Sequence, residues 1–335
     1  MEKEFPLLLS SENRENMRII KEDKDIISVV NFLPQKILIE GVPISVGSIG
    51  AVCTHSDYRG KGYSSKVLKD VGERMKEAGI NLCLISSKRN LYKKWGASEV
   101  KNCRRYKISA GIPDLKYIVR DYREEDLLSL KKIYNSCGTR YLRMGRDFET
   151  LIDSGTFHFG DTSYKRYVLE DENDLKGYII LKNTSDTIEV KEAVGDKSEI
   201  FDSLSFLGNQ LGVDQIDYII PYGEMAPTGY LGEEEYLSGV LKIVDFVGFM
   251  EELKSYFSQY LPDEEVTFLK AKEAEGKYEL SLGSEKLEIG SHKELLKLIF
   301  EKNKEKKSIE EGKLGEIIDR IFPLPFPWTE NLNYQ

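Results

Sequence analysis

The first hundred residues change from a strand-like to a helix-like pattern of apolar positions. Residues 17–54 are rich in valine and isoleucine and are broken at "KEDKD" and "EGVP", which predicts a series of strands. From residue 64 the apolar positions recur at spacings of one, three and four, which predicts an amphipathic helix ending at Gly79. Its apolar positions are Val67, Leu68, Val71 and Met75. A short buried strand in "INLCLIS", a helical turn in "NLYKKWGA" and a closing strand in "RRYKISAG" complete a predicted mixed α/β unit.

Gly and Pro in "AGIPDL", residues 110–115, interrupt both the strand-like and the helix-like spacing of apolar residues. They indicate a domain boundary. The next segment predicts a strand and an acid-started helix in "YIVRDYREEDLLSLKKIYNSCG", then three strands, a helix in "KSEIFDSLSFLGNQLG" and a strand in "QIDYIIP". From about residue 238 the pattern predicts a helix, a hairpin in "GKYELSLGSEKLEIG" and another helix. The predicted fold class is α+β, with three domains over residues 1–112, 113–235 and 236–335.

The C-terminal segment "IFPLPFPWTENLNYQ" is unusually apolar. It holds three of the ten prolines and four aromatic residues. A solvated tail would leave these side chains in water and forgo the free energy of their burial. We therefore expect the tail to pack against the rest of the protein.

Composition and charge narrow the classes of function. With 335 residues, 40% hydrophobic and 31% charged, the chain has an ordinary soluble composition and no apolar run near the roughly 20 residues that span a bilayer. Its first residues show no export signal, so we expect a cytoplasmic protein with no membrane partner. The net charge of −9 disfavours sequence-independent nucleic-acid binding and suits small cationic ligands.

The cysteines and histidines do not suggest a metal centre. Cys53, Cys83, Cys103 and Cys137 include no close CxxC pair, and the chain has only three histidines. This spacing argues against both a zinc site and a disulfide framework. We therefore predict no metal cofactor.

A polar turn, "THSDYRGKGYSS", joins the last predicted strand of residues 17–54 to the helix that follows. The first N–H groups of a helix have no partner inside it, and Gly60 and Gly62 let a ligand approach the backbone closely. Arg59 and Lys61 add positive charge, so the turn suits a phosphate. One charge at a helix start gains only about 0.3–1 kcal/mol, so several N–H groups must share a polyanion. From these residues alone, an ordinary helix start is an equally good interpretation.

Two motifs together resemble the GNAT superfamily, the Gcn5-related N-acetyltransferases. The segment Arg59 to Ser64, "RGKGYS", resembles the signature Q/R-x-x-G-x-G/A, with Ser64 in place of the usual Gly or Ala. Beyond it, "LYKKWGA" is similar to the block [FL]Y-x-K-x-GF, with Tyr92 and Gly96 in register and Ala97 replacing the usual Phe. The two blocks occur in order and at the family's separation, which is far more specific than either alone.

The resemblance implies acetyl-CoA as co-substrate and assigns roles by position. Backbone N–H groups of the turn would bind the pyrophosphate, and the backbone of Val52 and Thr54 would pair with the pantetheine arm. The turn residues are Arg59, Gly60, Lys61, Gly62, Tyr63 and Ser64. Tyr92 would protonate the leaving thiolate, since a phenol of pKa about 10 is protonated at neutral pH; a half-buried helix aromatic is the alternative. Ser87 would contact the thioester, with a helix cap as the alternative, and His55 would face solvent.

The layout of the whole chain resembles the tandem acetyltransferases of the Eis (enhanced intracellular survival) type. That resemblance implies a second GNAT-like domain without the phosphate turn and a third domain similar to sterol carrier proteins. In the second domain "EAVGDKSEIFDSL" places acids where basic residues would be needed, so we predict that it binds no CoA. In such enzymes the terminal carboxylate takes the proton from the amine, which implies Gln335 as the base. Only about sixteen residues precede Met17. In GNAT domains the N-terminal elements shape the acceptor pocket, so this part of the first domain is expected to be shorter than in the family.

The leading functional hypothesis is an acetyl-CoA-dependent N-acetyltransferase acting on a primary amine, either a small molecule or a lysine side chain. One alternative is a CoA-binding regulatory protein without transferase activity, and another is a carrier of a hydrophobic ligand. One sequence determines neither the acceptor amine nor the oligomeric state, and a homo-oligomer remains open.

Overall fold

A computed structural model describes residues 5–154, 161–172, 174–302 and 312–333. Its strands are β1 (Met17–Glu22), β2 (Asp25–Ile39), β3 (Val42–Thr54), β4 (Leu82–Ile85), β5 (Lys101–Ser109), β6 (Ile118–Asp121), β7 (Arg140–Tyr141), β8 (Ser163–Asp171), β9 (Asp174–Asn183), β10 (Ile188–Val194), β11 (Gln215–Pro221), β12 (Glu233–Tyr236), β13 (Val240–Ile243), β14 (Leu269–Ala274), β15 (Lys277–Leu282) and β16 (Glu285–Ile289). Its helices are α1 (Tyr63–Glu77), α2 (Asn90–Lys94), α3 (Leu127–Asn135), α4 (Asp147–Ser154), α5 (Lys197–Leu211), α6 (Phe246–Glu252), α7 (Lys254–Phe257), α8 (Asp263–Phe268), α9 (His292–Phe300) and α10 (Lys313–Ile321). None of these helices is long and apolar enough to cross a membrane.

The first sheet is built around the long hairpin of β2 and β3. Its strand order is β1-β2-β3-β4-β13, with β7 pairing beside the far end of β2. β3 and β4 run parallel, and α1 forms the crossover between them. The four apolar positions predicted for α1 are its buried residues, which confirms that helix and its inward face.

Two strands pair with a sheet that lies outside their own predicted segment. β5, expected to close the first unit, pairs instead with β11 and β12 in a seven-stranded sheet of order β12-β5-β11-β10-β9-β8-β6. β13, which lies beyond residue 235, pairs with β4 through Val240 and Ile85. Periodicity predicts the strand β5 but not which distant strand it pairs with, and β13 was not predicted as a strand, so sequence reasoning missed this exchange. The domain limits at residues 112 and 235 remain a prediction.

The third sheet is the antiparallel β14-β15-β16, with helices of the C-terminal segment around it. The predicted hairpin is confirmed, because β15 and β16 pair from Tyr278 with Ile289 to Leu282 with Glu285. Apolar side chains of this segment share one buried cluster with residues of the β2–β3 hairpin, such as Ile37 and Ile44. Mixed sheets flanked by helices confirm the predicted α+β class.

The C-terminal tail is packed, as expected from its composition. Leu324, Phe326 and Thr329 are at most 1% exposed. The Thr329 hydroxyl donates to the Ser238 carbonyl oxygen over 2.9 Å. The ammonium of Lys182 lies 2.9 Å from the Glu330 carboxylate. Residues 334 and 335 lie outside the described residues.

Candidate active site

The parallel strands β3 and β4 separate before β3 ends. They pair from Val46 with Leu82 to Ile49 with Ile85, where β4 stops, whereas β3 continues for five more residues to Thr54. Between residues 50 and 54 the backbone edge of β3 that faces β4 has no strand partner in the described part of the chain. An extended ligand with amide groups can pair with such an edge.

A β-bulge lies at the start of this open edge. Val29 pairs with Cys53 and Asn31 with Gly50, so Ala51 and Val52 together lie opposite a single residue of β2. Ala51 has a φ of +49°, a left-handed conformation that costs a residue with a side chain roughly 1–2 kcal/mol. Strain of this kind collects at functional sites, and a bulge redirects the strand. Sequence reasoning missed Ala51, because alanine carries no signal of positive φ.

The turn after β3 leads into a helix start that no side chain of the described residues caps. Gly60 and Gly62 have φ values of +77° and +82°, and nothing lies within 4 Å of the positions their Cβ atoms would take. Gly62 is the N-cap of α1 and makes no side-chain cap. The Lys66 N–H donates to the Gly62 carbonyl oxygen, so the N–H groups of Tyr63 and Ser64 have no acceptor within the helix.

Hydroxyl groups join the end of β3 to the start of α1. The Thr54 hydroxyl lies 2.6 Å from that of Ser64 and 2.9 Å from that of Ser28. The exposed Arg59 donates through Nε to the Thr54 carbonyl oxygen over 3.2 Å. These bonds fix the strand edge relative to the helix start, so the two can contact one ligand.

Positive charge surrounds the turn. The ammonium of Lys61 lies 4.8 Å from the centre of the Tyr58 ring, and that of Lys66 lies 5.6 Å from the centre of the half-buried Tyr63 ring. Among the described residues, neither these two lysines nor Arg59 forms an ion pair with a carboxylate. The site therefore suits a polyanion.

Tyr92 lies in the apolar cluster next to the opening. It belongs to α2, is 3% exposed, and shares its cluster with Ile49 and Ile85, where β3 and β4 separate, and with the half-buried Val52. Burial raises the pKa of the phenol, and the charge of Arg89 opposes the rise. Tyr92 is therefore protonated at neutral pH.

Two other candidates lie beside the opening. Ser87 is half-buried in the loop between β4 and α2, and the N-cap of α2 is Arg89, so Ser87 is not the helix cap considered as its alternative role. His55 is exposed and accepts a hydrogen bond from the Asp57 N–H, so it faces solvent as expected. Gln335, the base implied by resemblance, lies outside the described residues.

The second sheet repeats this arrangement with a different helix start. β10 and β11 run parallel but pair only at Glu189 and Asp217 within the described residues, and β10 has a bulge at Lys191. Asp196 caps α5, because its Oδ1 accepts from the N–H groups of Ser198 and Glu199. An acid thus occupies the place that Gly62 leaves open in the first unit.

The described residues contain no group of three or more His, Cys, Asp or Glu side chains that could hold a metal ion.

Comparison with known proteins finds a family model that is similar to the first part of the chain. Residues 2–100 match the family model described as acetyltransferase (GNAT) domain. No curated protein matches the chain in sequence.

Solved structures share the fold over most of the chain. A GCN5-related N-acetyltransferase from Anabaena variabilis is 13% identical, with a TM-score of 0.56 over 82% of this chain and 75% of that one. Eis1 from Mycobacterium abscessus is 12% identical, with a TM-score of 0.56 over 91% and 86%. A probable N-acyltransferase from Enterococcus faecalis is 17% identical, with a TM-score of 0.54 over 75% and 71%. At these identities the likeness establishes the fold alone.

Proposed function

We propose that the protein is an acetyl-CoA-dependent N-acetyltransferase that transfers an acetyl group to a primary amine. The observation that carries this proposal is that the open edge of β3 at residues 50–54 continues into the uncapped helix start at Gly62. The edge suits the amides of the pantetheine arm, and the free N–H groups with the nearby cations suit the pyrophosphate. The GNAT domain match and the shared fold support the same assignment.

The proposed reaction is direct transfer. The amine nitrogen attacks the thioester carbonyl carbon and forms a tetrahedral intermediate, which collapses as the carbon–sulfur bond breaks. Tyr92 gives its proton to the departing thiolate, for which its raised pKa keeps it ready at neutral pH. Ser87, in the loop after β4, contacts the thioester region.

We further propose that the terminal carboxylate of Gln335 accepts the proton from the amine. This role requires an ordered tail, and the tail is packed up to its last described residue, where the buried Asn333 accepts a hydrogen bond of 2.7 Å from Nε of Arg143. Extending the C-terminus by a tag should then lower turnover while acetyl-CoA binding stays unchanged. Unchanged turnover in the tagged protein would show that the base lies elsewhere.

The second unit is proposed to bind no CoA, because Asp196 already accepts the N–H bonds at the start of α5 and repels a phosphate. Three units with limits near residues 112 and 235, and a C-terminal unit similar to sterol carrier proteins, are also proposals. The strand exchange joins these units in space, because β5 pairs with β11 and β13 pairs with β4.

A CoA-binding regulatory protein is the second candidate. The deep burial of Tyr92, at 3% exposure, favours it, because a general acid has to reach its substrate. A panel of amines incubated with acetyl-CoA, with release of free thiol as the readout, separates the two candidates. The enzyme hypothesis predicts amine-dependent release that falls about 100-fold in Tyr92→Phe. Tight CoA binding without release from any amine would favour the regulatory role.

A further inference from the structure

A cavity of about 700 Å³ lies where β10 and β11 separate in the second sheet. Residues 190–194 of β10 form one wall, and Tyr218, Ile219 and Pro221 of β11 form the facing wall. The segment between α3 and β7, at residues 136–139, and the tail residue Trp328 also line it. The proposed acetyl-CoA site belongs to the first sheet, so this is a separate cavity.

The cavity presents an open strand edge. Residues 190–194 pair with β9 on one side, whereas on the β11 side the described chain provides no pair beyond Glu189 and Asp217. Backbone groups along this edge can form hydrogen bonds with an extended ligand that carries amides. The apolar side chains of Ile133, Val190 and Ile219 add hydrophobic surface to the walls.

The end of the cavity near α5 is closed to phosphate. Asp196 holds the first N–H groups of the helix. The ammonium of Lys197 lies 3.0 Å from the Tyr218 hydroxyl and forms an ion pair with Glu224. A nucleotide-bearing ligand therefore has no site there.

Among the described residues, Arg140 of this cavity has no carboxylate partner. Its Nη1 donates to the Cys137 carbonyl oxygen over 3.1 Å and its Nη2 to Oδ1 of Asn135 over 3.3 Å, whereas its buried Nε has no partner. The acids around the cavity are engaged. They are Glu192 with Arg143, Glu224 with Lys197, Glu40 with Tyr260, and Asp196 with the N–H groups of Ser198 and Glu199. A ligand carboxylate in the cavity would pair with the half-buried guanidinium of Arg140.

We propose that this cavity binds a short, extended peptide with a free C-terminal carboxylate. The peptide amides pair with residues 190–194, an apolar side chain lies among the aliphatic walls, and the carboxylate reaches Arg140. The site shares no residue with the turn at Gly60 and Gly62 or with Tyr92, although Trp328 and Asn331 of the C-terminal tail line it.

Calorimetric titration of the full chain tests this site. The probes are N-acetyl tripeptides with alanine, leucine or tryptophan at the centre, each as the free acid and as the C-terminal amide. We expect at least one free-acid peptide to bind, and its C-terminal amide to bind at least about tenfold more weakly. Arg140→Gln should lose this preference, and Arg146→Gln, a substitution at an exposed arginine nearby, should keep it.

Three outcomes would overturn the proposal: no binding by any peptide, equal binding of acid and amide, or an unchanged preference in Arg140→Gln. Thermal unfolding of Arg140→Gln shows whether the variant folds, and acetyl-CoA titration of the same sample should match wild type. If the wild-type protein did not bind acetyl-CoA, that result would count against the proposed function. It would not affect the conclusion drawn from the peptide titration.

Discussion

Ala51 carries backbone strain at the point where the first sheet opens. Its φ of +49° suits glycine and disfavours a β-branched residue. We expect Ala51→Val to lower the free energy of unfolding by about 2 kcal/mol, whereas Ala51→Gly should stay within about 1 kcal/mol of wild type. Urea denaturation of the three proteins measures both effects. If the valine variant were as stable as wild type, the bulge would not have this conformation.

Residue chemistry near the site was only partly predictable. Gly60 and Gly62 could be identified because glycine next to basic residues marks an open turn. The strain at Ala51 could not, because it arises from the register between β2 and β3. It was equally impossible to predict that Arg140 has no carboxylate partner among the described residues, since this depends on which distant groups surround its side chain.

At the scale of elements, the cap of α5 distinguishes the second unit from the first. Replacing Asp196 by alanine removes an acceptor from the N–H groups of Ser198 and Glu199. We expect a loss of about 1 kcal/mol in the free energy of unfolding. Asp186→Ala, at an exposed aspartate in the turn before β10, is the matched control and should change stability little. Equal effects of both substitutions would contradict the cap.

His292 joins α9 to β13 and to the third sheet. Its Nε2 accepts from the Ile243 N–H over 3.0 Å, and its Nδ1 lies 2.8 Å from the Tyr278 hydroxyl. Burial, with help from the Lys242 charge, lowers the pKa of His292 to about 3. A protonated Nε2 cannot accept the Ile243 bond, so the folded state holds the neutral ring.

This lowered pKa makes stability depend on pH. The unfolded chain protonates His292 near pH 6.5 and the folded chain only near pH 3, so its contribution is complete above pH 6.5 and is lost as pH falls towards 3. Below pH 6.5 we expect His292 to lower the free energy of unfolding by at most about 1.4 kcal/mol for each pH unit. Thermal or urea unfolding between pH 5 and 7.5 should show a weaker slope in His292→Gln, and a wild-type slope in the exposed control His55→Gln. Identical slopes in all three proteins would refute the assignment.

At the scale of the molecule, the exchanged strands tie the three segments together. β5 lies between β11 and β12, and β13 extends the first sheet beside β4. A fragment of residues 1–112 would lose both sets of pairs and expose strand edges, so we expect it to unfold without cooperativity or to aggregate. Calorimetry of the fragment beside the full chain measures this. A fragment with a sharp transition at the full-chain temperature would show that the exchange is dispensable.

The whole-molecule arrangement shows where sequence reasoning stops. Strands β1 to β6 and β8 to β11, α1 and the C-terminal hairpin could be predicted, because local periodicity and turn residues specify them. The short strands β7, β12, β13 and β14 were not predicted. The pairing of β5 with β11 and of β13 with β4 could not be predicted, because similar alternating strands compete for each edge. The packed tail was predictable from its apolar composition, although its contacts with Arg143 and Lys182 were not.

Calorimetric titration with acetyl-CoA tests whether one site per chain lies at the open edge of β3 and the turn at Gly62. Gly62→Ala places a Cβ in the open space before the helix start, and Gly212→Ala places one at another positive φ with open space, at the end of α5. We predict that one acetyl-CoA binds per chain. Its affinity should be at least about tenfold lower in Gly62→Ala and unchanged in Gly212→Ala. Two molecules bound per chain, or equal affinities in the two variants, would contradict this prediction.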